Sequence, residues 1–158
     1  ELWLIERRSR ELGAGLPLIV LHDVAWPYGR RDLYYDPDTI PAAERQPYAR
    51  RGISPTEAEL VATGGYNAHL CNALREGGPR NGVLTAVEDY LRESEEQYLV
   101  ARIPAAFGLG ILLPTELAAA RPELERLVRA WTVPEVERFI ARLELARIAV
   151  MTGVAGAP

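Results

Sequence analysis

An apolar run that ends abruptly constrains this chain more than any other stretch of it. Leu18-Ile19-Val20-Leu21 is uncharged and rich in branched side chains, and it gives way to His22-Asp23-Val24 and then to Trp26-Pro27-Tyr28-Gly29-Arg30-Arg31-Asp32-Leu33-Tyr34-Tyr35. A short continuous apolar run of this kind predicts a buried parallel strand with polar groups at its C-terminal end. In an open α/β sheet that end is where ligands bind. The same residues also suit a core strand followed by a structural loop. Residues 25 to 56 hold Pro27, Pro37, Pro41, Pro47 and Pro55 together with Tyr28, Tyr34, Tyr35 and Tyr48. Proline fixes φ and lacks an N–H, so a long helix or a central strand is excluded there, and the aromatic residues favour an ordered loop with at most short turns.

The remaining elements follow from periodicity and punctuation. Leu2, Ile5 and Leu12 fall on one face of a helix over 1 to 12, stopped by Gly13 and Gly15. That helix begins at Glu1 without a cap, which suggests a segment of something longer. Ser54 as cap and Pro55 behind it can open a short helical turn. Val83, Leu84, Val87, Tyr90 and Leu91 predict a helix over 80 to 94 whose apolar face packs on a sheet. Gln97 to Ile103 and Phe107 to Leu113 read as two strands, each closed by a proline and close enough together to form an antiparallel hairpin. Thr115 opens a helical stretch that Pro122 breaks or restarts, and Pro134 opens a last helix to about 150, ended by Gly153 and the small-residue tail. Strand, helix, strand implies a right-handed parallel unit, and the hairpin strand adds an antiparallel member. The expectation is the closing half of a mixed α/β sheet in a single domain or part of one, with no internal repeat.

Composition narrows the function classes. The chain has 158 residues, 48% hydrophobic and 25% charged, which is ordinary for a soluble globular domain. No apolar run approaches the ~20 residues that span a bilayer, and no signal-peptide pattern opens the chain, so a cytoplasmic location with no membrane partner is expected. A net charge of -4 argues against a nucleic-acid partner, and the pairs Arg7-Arg8 and Arg50-Arg51 read as solvated. The single cysteine, Cys71, excludes an internal disulfide and a multi-cysteine zinc site, and reads as a small buried hydrophobe. There is no GxGxxG or phosphate-loop pattern.

Three blocks carry a resemblance: LPLIVLHDVAWPYGRRDLYYDPDTIP, GGYNAHLCNALREGGPRNGVLTAVEDYL and FGLGILLP. Over roughly residues 1 to 113 the chain resembles the C-terminal half of bacterial class I S-adenosylmethionine-dependent methyltransferase-like proteins. The resemblance implies a Rossmann-like sheet ending in a parallel strand, a helix, another parallel strand and an antiparallel hairpin strand inserted between them. It further implies methyl transfer from S-adenosylmethionine to a small-molecule hydroxyl. The family's cofactor-binding glycine loop and ribose-gripping acid belong to an N-terminal half and have no match here. That half, or a homo-oligomer, is then an expected partner beside the small-molecule acceptor. A non-catalytic interaction or scaffold domain retaining the fold is the alternative.

Some relatives of this fold use a divalent ion, and by that resemblance Asp23 sits where a ligand for Mg²⁺ would be, with His22 beside it as ligand or base. His69 suits a general base, since imidazole titrates near neutrality, or a hydrogen-bonded structural histidine beside Asn67 and Asn72. Arg80 and Asn81 can hold an anionic or hydroxyl-bearing substrate or cap the helix they precede. Trp26, Tyr28, Tyr34 and Tyr35 line an acceptor pocket or form ordinary loop packing.

Overall fold

The computed structural model describes residues 1–153. In chain order the helix α1 (Leu2–Glu11) precedes strand β1 (Ile19–His22), and the long loop then carries the short strands β2 (Leu33–Tyr34), β3 (Tyr48–Arg50) and β4 (Cys71–Ala73). Helix α2 (Val83–Glu93) leads to strands β5 (Tyr98–Ile103) and β6 (Leu109–Pro114). Three helices close the chain: α3 (Thr115–Ala120), α4 (Pro122–Ala130) and α5 (Pro134–Thr152). Pro122 does separate two helices, and Gly153 ends α5 in the left-handed conformation at φ 68°. The tail beyond Gly153 lies outside the described residues.

The first sheet has the order β1-β6-β5, and β6 is antiparallel to both neighbours. β1 and β5 therefore run in the same direction with the hairpin strand between them. Leu112 and Leu113 of β6 are both fully buried and, as successive strand residues, serve opposite faces. Leu112 packs with Ile19, Val87 and Tyr90 under α1 and α2. Leu113 packs with Ala101, Ala118 and Val128 under α3 and α4. Burial of one such leucine is worth about 1.5–3 kcal/mol, so this strand is the keel of the fold.

Three expectations differ from the structure. The run ending at Leu21 was expected to be a buried parallel strand, yet β1 is an edge strand bonded only to β6, and Val20 is 54% exposed. Its uncharged sequence suits coverage on both sides, which the described residues supply on one. The loop over 25 to 56 was expected to hold at most short turns. It carries two 3-10 turns, but β2 and β3 also flank β4 in a second antiparallel sheet of order β2-β4-β3. Strands of two or three residues are too short to show a period of two in sequence. Ser54 opens no helix: it pairs with Glu57 in an isolated bridge and its hydroxyl accepts from Thr56 N at 3.3 Å. The chain is thus a mixed α/β protein of two small antiparallel sheets and, among the described residues, five helices. No neighbouring strands among the described residues are parallel.

Candidate functional site

His22 closes β1, and a tight turn places Asp23 immediately after it at φ 62°. The β5–β6 turn meets this point. Ala106 and Phe107 also take positive φ, and Ala25 N donates to Phe107 O at 2.8 Å. Three non-glycine residues in the left-handed region, each costing about 1 kcal/mol or more, mark a place where surrounding structure over-determines the backbone. His22 Nδ1 lies 3.2 Å from Asp23 Oδ1, and its Nε2 lies 3.1 Å from the Ala106 carbonyl oxygen. A neutral ring can donate to only one of these two acceptors. The ring is exposed and meets Phe107 edge-on, so it is oriented yet accessible.

The residues that shape this corner come from far along the chain. Glu144 of α5 accepts from Phe107 N at 3.1 Å and is bracketed by Arg147 through contacts of 2.7 and 2.8 Å. The Arg147 guanidinium also lies over the Phe107 ring, 4.6 Å from its centroid. Arg147 holds the Glu144 carboxyl below the usual carboxylate range, with the Phe107 and Ala106 amides adding to the effect. Trp26 leans on Tyr66 at 5.7 Å between ring centroids, and Tyr66 on Phe107 at 6.0 Å. The Trp26 indole N–H is enclosed and has no hydrogen-bond partner.

A second polar group gathers at the entrance of α2, on the other side of the sheet. Leu21 faces α2, so His22, the next strand residue, faces away from it. Asp32 accepts from Gly82 N and from Tyr34 OH, both at 2.8 Å, and so ties the residue before α2 to the loop, while the first amides of the helix, Val83 N and Leu84 N, donate to the carbonyls of Tyr28 and Gly29, both at 2.9 Å. Asn81 is buried: its Oδ1 accepts from Asp32 N at 2.8 Å, and its Nδ2 donates to Arg75 O at 2.9 Å and Gly77 O at 2.8 Å. Gly82 has φ 91°, and a Cβ there would run into the backbone of Gly29, Arg30 and Arg31. Arg80 is exposed and ion-paired with Glu44. Beside it a cleft of about 510 Å³ opens between α1, β1 and α2, with Trp3, Leu21 and Val83 on its apolar walls and Asp32 and Arg80 at its polar end.

The other predicted residues, Tyr34 with its bond to Asp32 excepted, are placed apart from both groups. Tyr28 is buried, donates to Asn72 Oδ1 at 3.2 Å and accepts from Asn67 Nδ2 at 2.7 Å. Tyr34 is also buried, and desolvation pushes its hydroxyl up to about 12. Tyr35 is exposed. His69 sits exposed on the turn before β4 and makes no hydrogen bond among the described residues, whereas Cys71 is buried as expected. No hydrogen bond or ion pair among the described residues joins His22 and Asp23 to Arg80, Asn81 or His69.

Phe107, Glu144, Arg147, Tyr66 and Asp32 escaped the reading of the sequence. One signal was available for Glu144: it interrupts an apolar i, i+4, i+8 stripe between Ile140 and Ile148, where a charge needs a buried partner. Asp32 and Tyr66 carry no comparable local mark. Among the described residues, no three His, Cys, Asp or Glu side chains stand together as metal ligands. Asp23 with His22 alone does not make the oxygen shell that Mg²⁺ requires. His22 does not line the cleft between α1, β1 and α2. Compared with protein-family models, with curated proteins and with solved structures, the chain finds no match.

Proposed function

We propose that this chain forms the acceptor side of an S-adenosylmethionine-dependent methyltransferase-type site acting on a small-molecule hydroxyl, with the cofactor held by an N-terminal half outside these residues. The observation that carries this reading is the strand order: β6 runs antiparallel between two strands of common direction, β1 and β5, and the chain between those two passes through the second sheet and then α2. In this reading that order is the closing end of a larger Rossmann-like sheet, whose remaining strands would join the open edge of β1. His22 and Asp23 then stand at the C-terminal end of β1, where an open α/β sheet places its ligands. In this reading Asp23 orients the ring through Nδ1, and Nε2, which faces the Ala106 carbonyl in the structure, takes the proton of the acceptor hydroxyl once the acceptor displaces that contact. Phe107, Tyr66 and Trp26 supply an apolar wall beside it.

Titration calorimetry of S-adenosylmethionine into the full-length gene product, with and without Mg²⁺, tests the proposal. Saturable binding is expected, and its absence in both conditions would overturn it. His22→Gln is expected to reduce methyl transfer about 100-fold or more while leaving cofactor binding intact, the usual range for loss of a general base. Asp23→Ala with unchanged turnover would end any metal role there.

One observation favours a second reading, a scaffold domain without catalysis. The loop's polar side chains are largely spent on the fold itself: Asp32, Asn72 and Asn81 bond internally, and buried Arg31 donates to the carbonyls of Ala73 and Ala58 at 2.5 and 2.6 Å. A full-length protein that binds no S-adenosylmethionine yet keeps its fold would support the scaffold.

A further inference from the structure

Helix α5 is apolar on two faces, which a helix lying on the outside of a domain does not need. Its inner face is Ile140, Glu144 and Ile148, anchored to the body through Glu144 and Phe107 N. Its outer face carries Val136, Phe139, Leu143, Ala146 and Val150, spaced 3, 4, 3 and 4 residues apart. Phe139 is 63% exposed, Leu143 56% and Val150 86%, so from Phe139 onward this second stripe is open among the described residues, with Val136 half-buried at its start. A helix with one core face turns charged residues outward. Apolar residues alternating at three and four are instead the seam by which one helix packs along another.

We propose that this outer face is a self-association surface, on which a second copy of the chain lays its own α5 in the opposite direction. The flanking charges select both partner and direction. With Val136, Leu143 and Val150 at one seam position and Phe139 and Ala146 at the other, Glu135 and Arg142 both lie on one flank and Arg147 on the opposite flank. A parallel pair would set Arg142 of each helix against an Arg147 already held by Glu144, and Glu135 against Ile140, so neither flanking charge would meet an opposite one. An antiparallel pair brings the Glu135–Arg142 flank of one helix along the same flank of its copy, where acid and base alternate, and opposes the two helix dipoles. The surface is therefore complementary to itself, as a two-fold contact requires. A helix lying on a lipid surface would show an excess of basic residues on its polar face, but α5 balances Glu135, Glu137 and Glu144 with Arg138, Arg142 and Arg147. Two heptads fall short of the three or four that sustain a free-standing coiled coil, so the contact is weak and depends on protein concentration. This inference is independent of the methyl-transfer reading.

Sedimentation velocity on the chain from about 10 to 500 μM tests it, a range that brackets weak association. A monomer that converts to a dimer across this range is expected. Leu143→Glu should weaken dimerisation about tenfold or more by setting an unpaired charge in the seam. Its thermal midpoint at low concentration should not move, because the side chain is exposed in the monomer. Arg142→Glu alone should weaken the dimer, and adding Glu135→Arg should restore it. A monomer at every concentration, a dimer indifferent to Leu143→Glu, or a monomer that instead binds phosphatidylserine vesicles would each overturn the proposal.

Discussion

Glu6 is 3% exposed although Leu4 on the same helix is mostly in solvent, because its carboxylate is the acceptor that ties α1 to the end of α2. Tyr90 OH and Ser94 Oγ each donate to Oε2 at 2.9 Å, and Arg10 Nη2 stands 2.7 Å from Oε1. Removing that acceptor leaves Tyr90 OH with only Tyr98 OH, takes away the acceptor of the Ser94 hydroxyl and empties the space the carboxylate fills, so Glu6→Ala is expected to destabilise the chain by about 1–3 kcal/mol in urea unfolding. The tyrosines give a second prediction. Tyr28, Tyr34, Tyr90 and Tyr98 all have their hydroxyls pushed up, by burial before any other cause, Tyr34 to about 12. A group whose native value lies above its unfolded value near 10 gives full stabilisation below that pH and loses it as pH rises through the native value. The thermal midpoint should therefore fall between about pH 10 and 12, more steeply than in a Tyr34→Phe variant. A midpoint flat across that window would contradict the buried placement of these rings.

The β5–β6 hairpin and α5 hold each other in place through very few groups. Gly108 turns the hairpin at φ 94°, and a Cβ there would collide with the backbone and side chain of Ala25. Gly108→Ala should then cost about 2 kcal/mol or more, combining left-handed strain with displacement of the β1 end, as measured by denaturant unfolding. On the other side of the turn, Glu144 ties α5 to Phe107. Its carboxyl is held below the usual range by Arg147, so the attachment stabilises α5 above the ordinary carboxylate value and is lost as pH falls through the depressed native value. Hydrogen exchange in α5 is expected to accelerate selectively below about pH 4, and Glu144→Gln should remove that dependence. Uniform acceleration across all helices would show that the link is not local.

The helices of the body and the apolar face of α2 were largely legible in the sequence, but that α1 joins α2 on one face of the first sheet and that α3 and α4 cover the other was not. Proline and glycine set the ends of α4 and α5 by their own backbone restrictions, and the apolar period of α2 names the face it buries. The hairpin of β5 and β6 followed from two apolar runs a few residues apart. These are local properties, and local chemistry decides them. The second sheet, the burial of Asn72 and Asn81, and the tie between Asp32 and Gly82 at the start of α2 were not legible. Each depends on a partner many residues away, as when Gly82 N donates to Asp32. The stretch that opened the argument divides along the same line. Its apolar run and sudden polarity determined by themselves that a strand ends at His22 beside Asp23. Only the tertiary structure decided that this strand lies at an edge, that His22 turns away from α2, and that Phe107, Glu144 and Arg147 complete the corner. A side chain's type sets what it can bond or bury, whereas long-range packing alone chooses which distant group it meets.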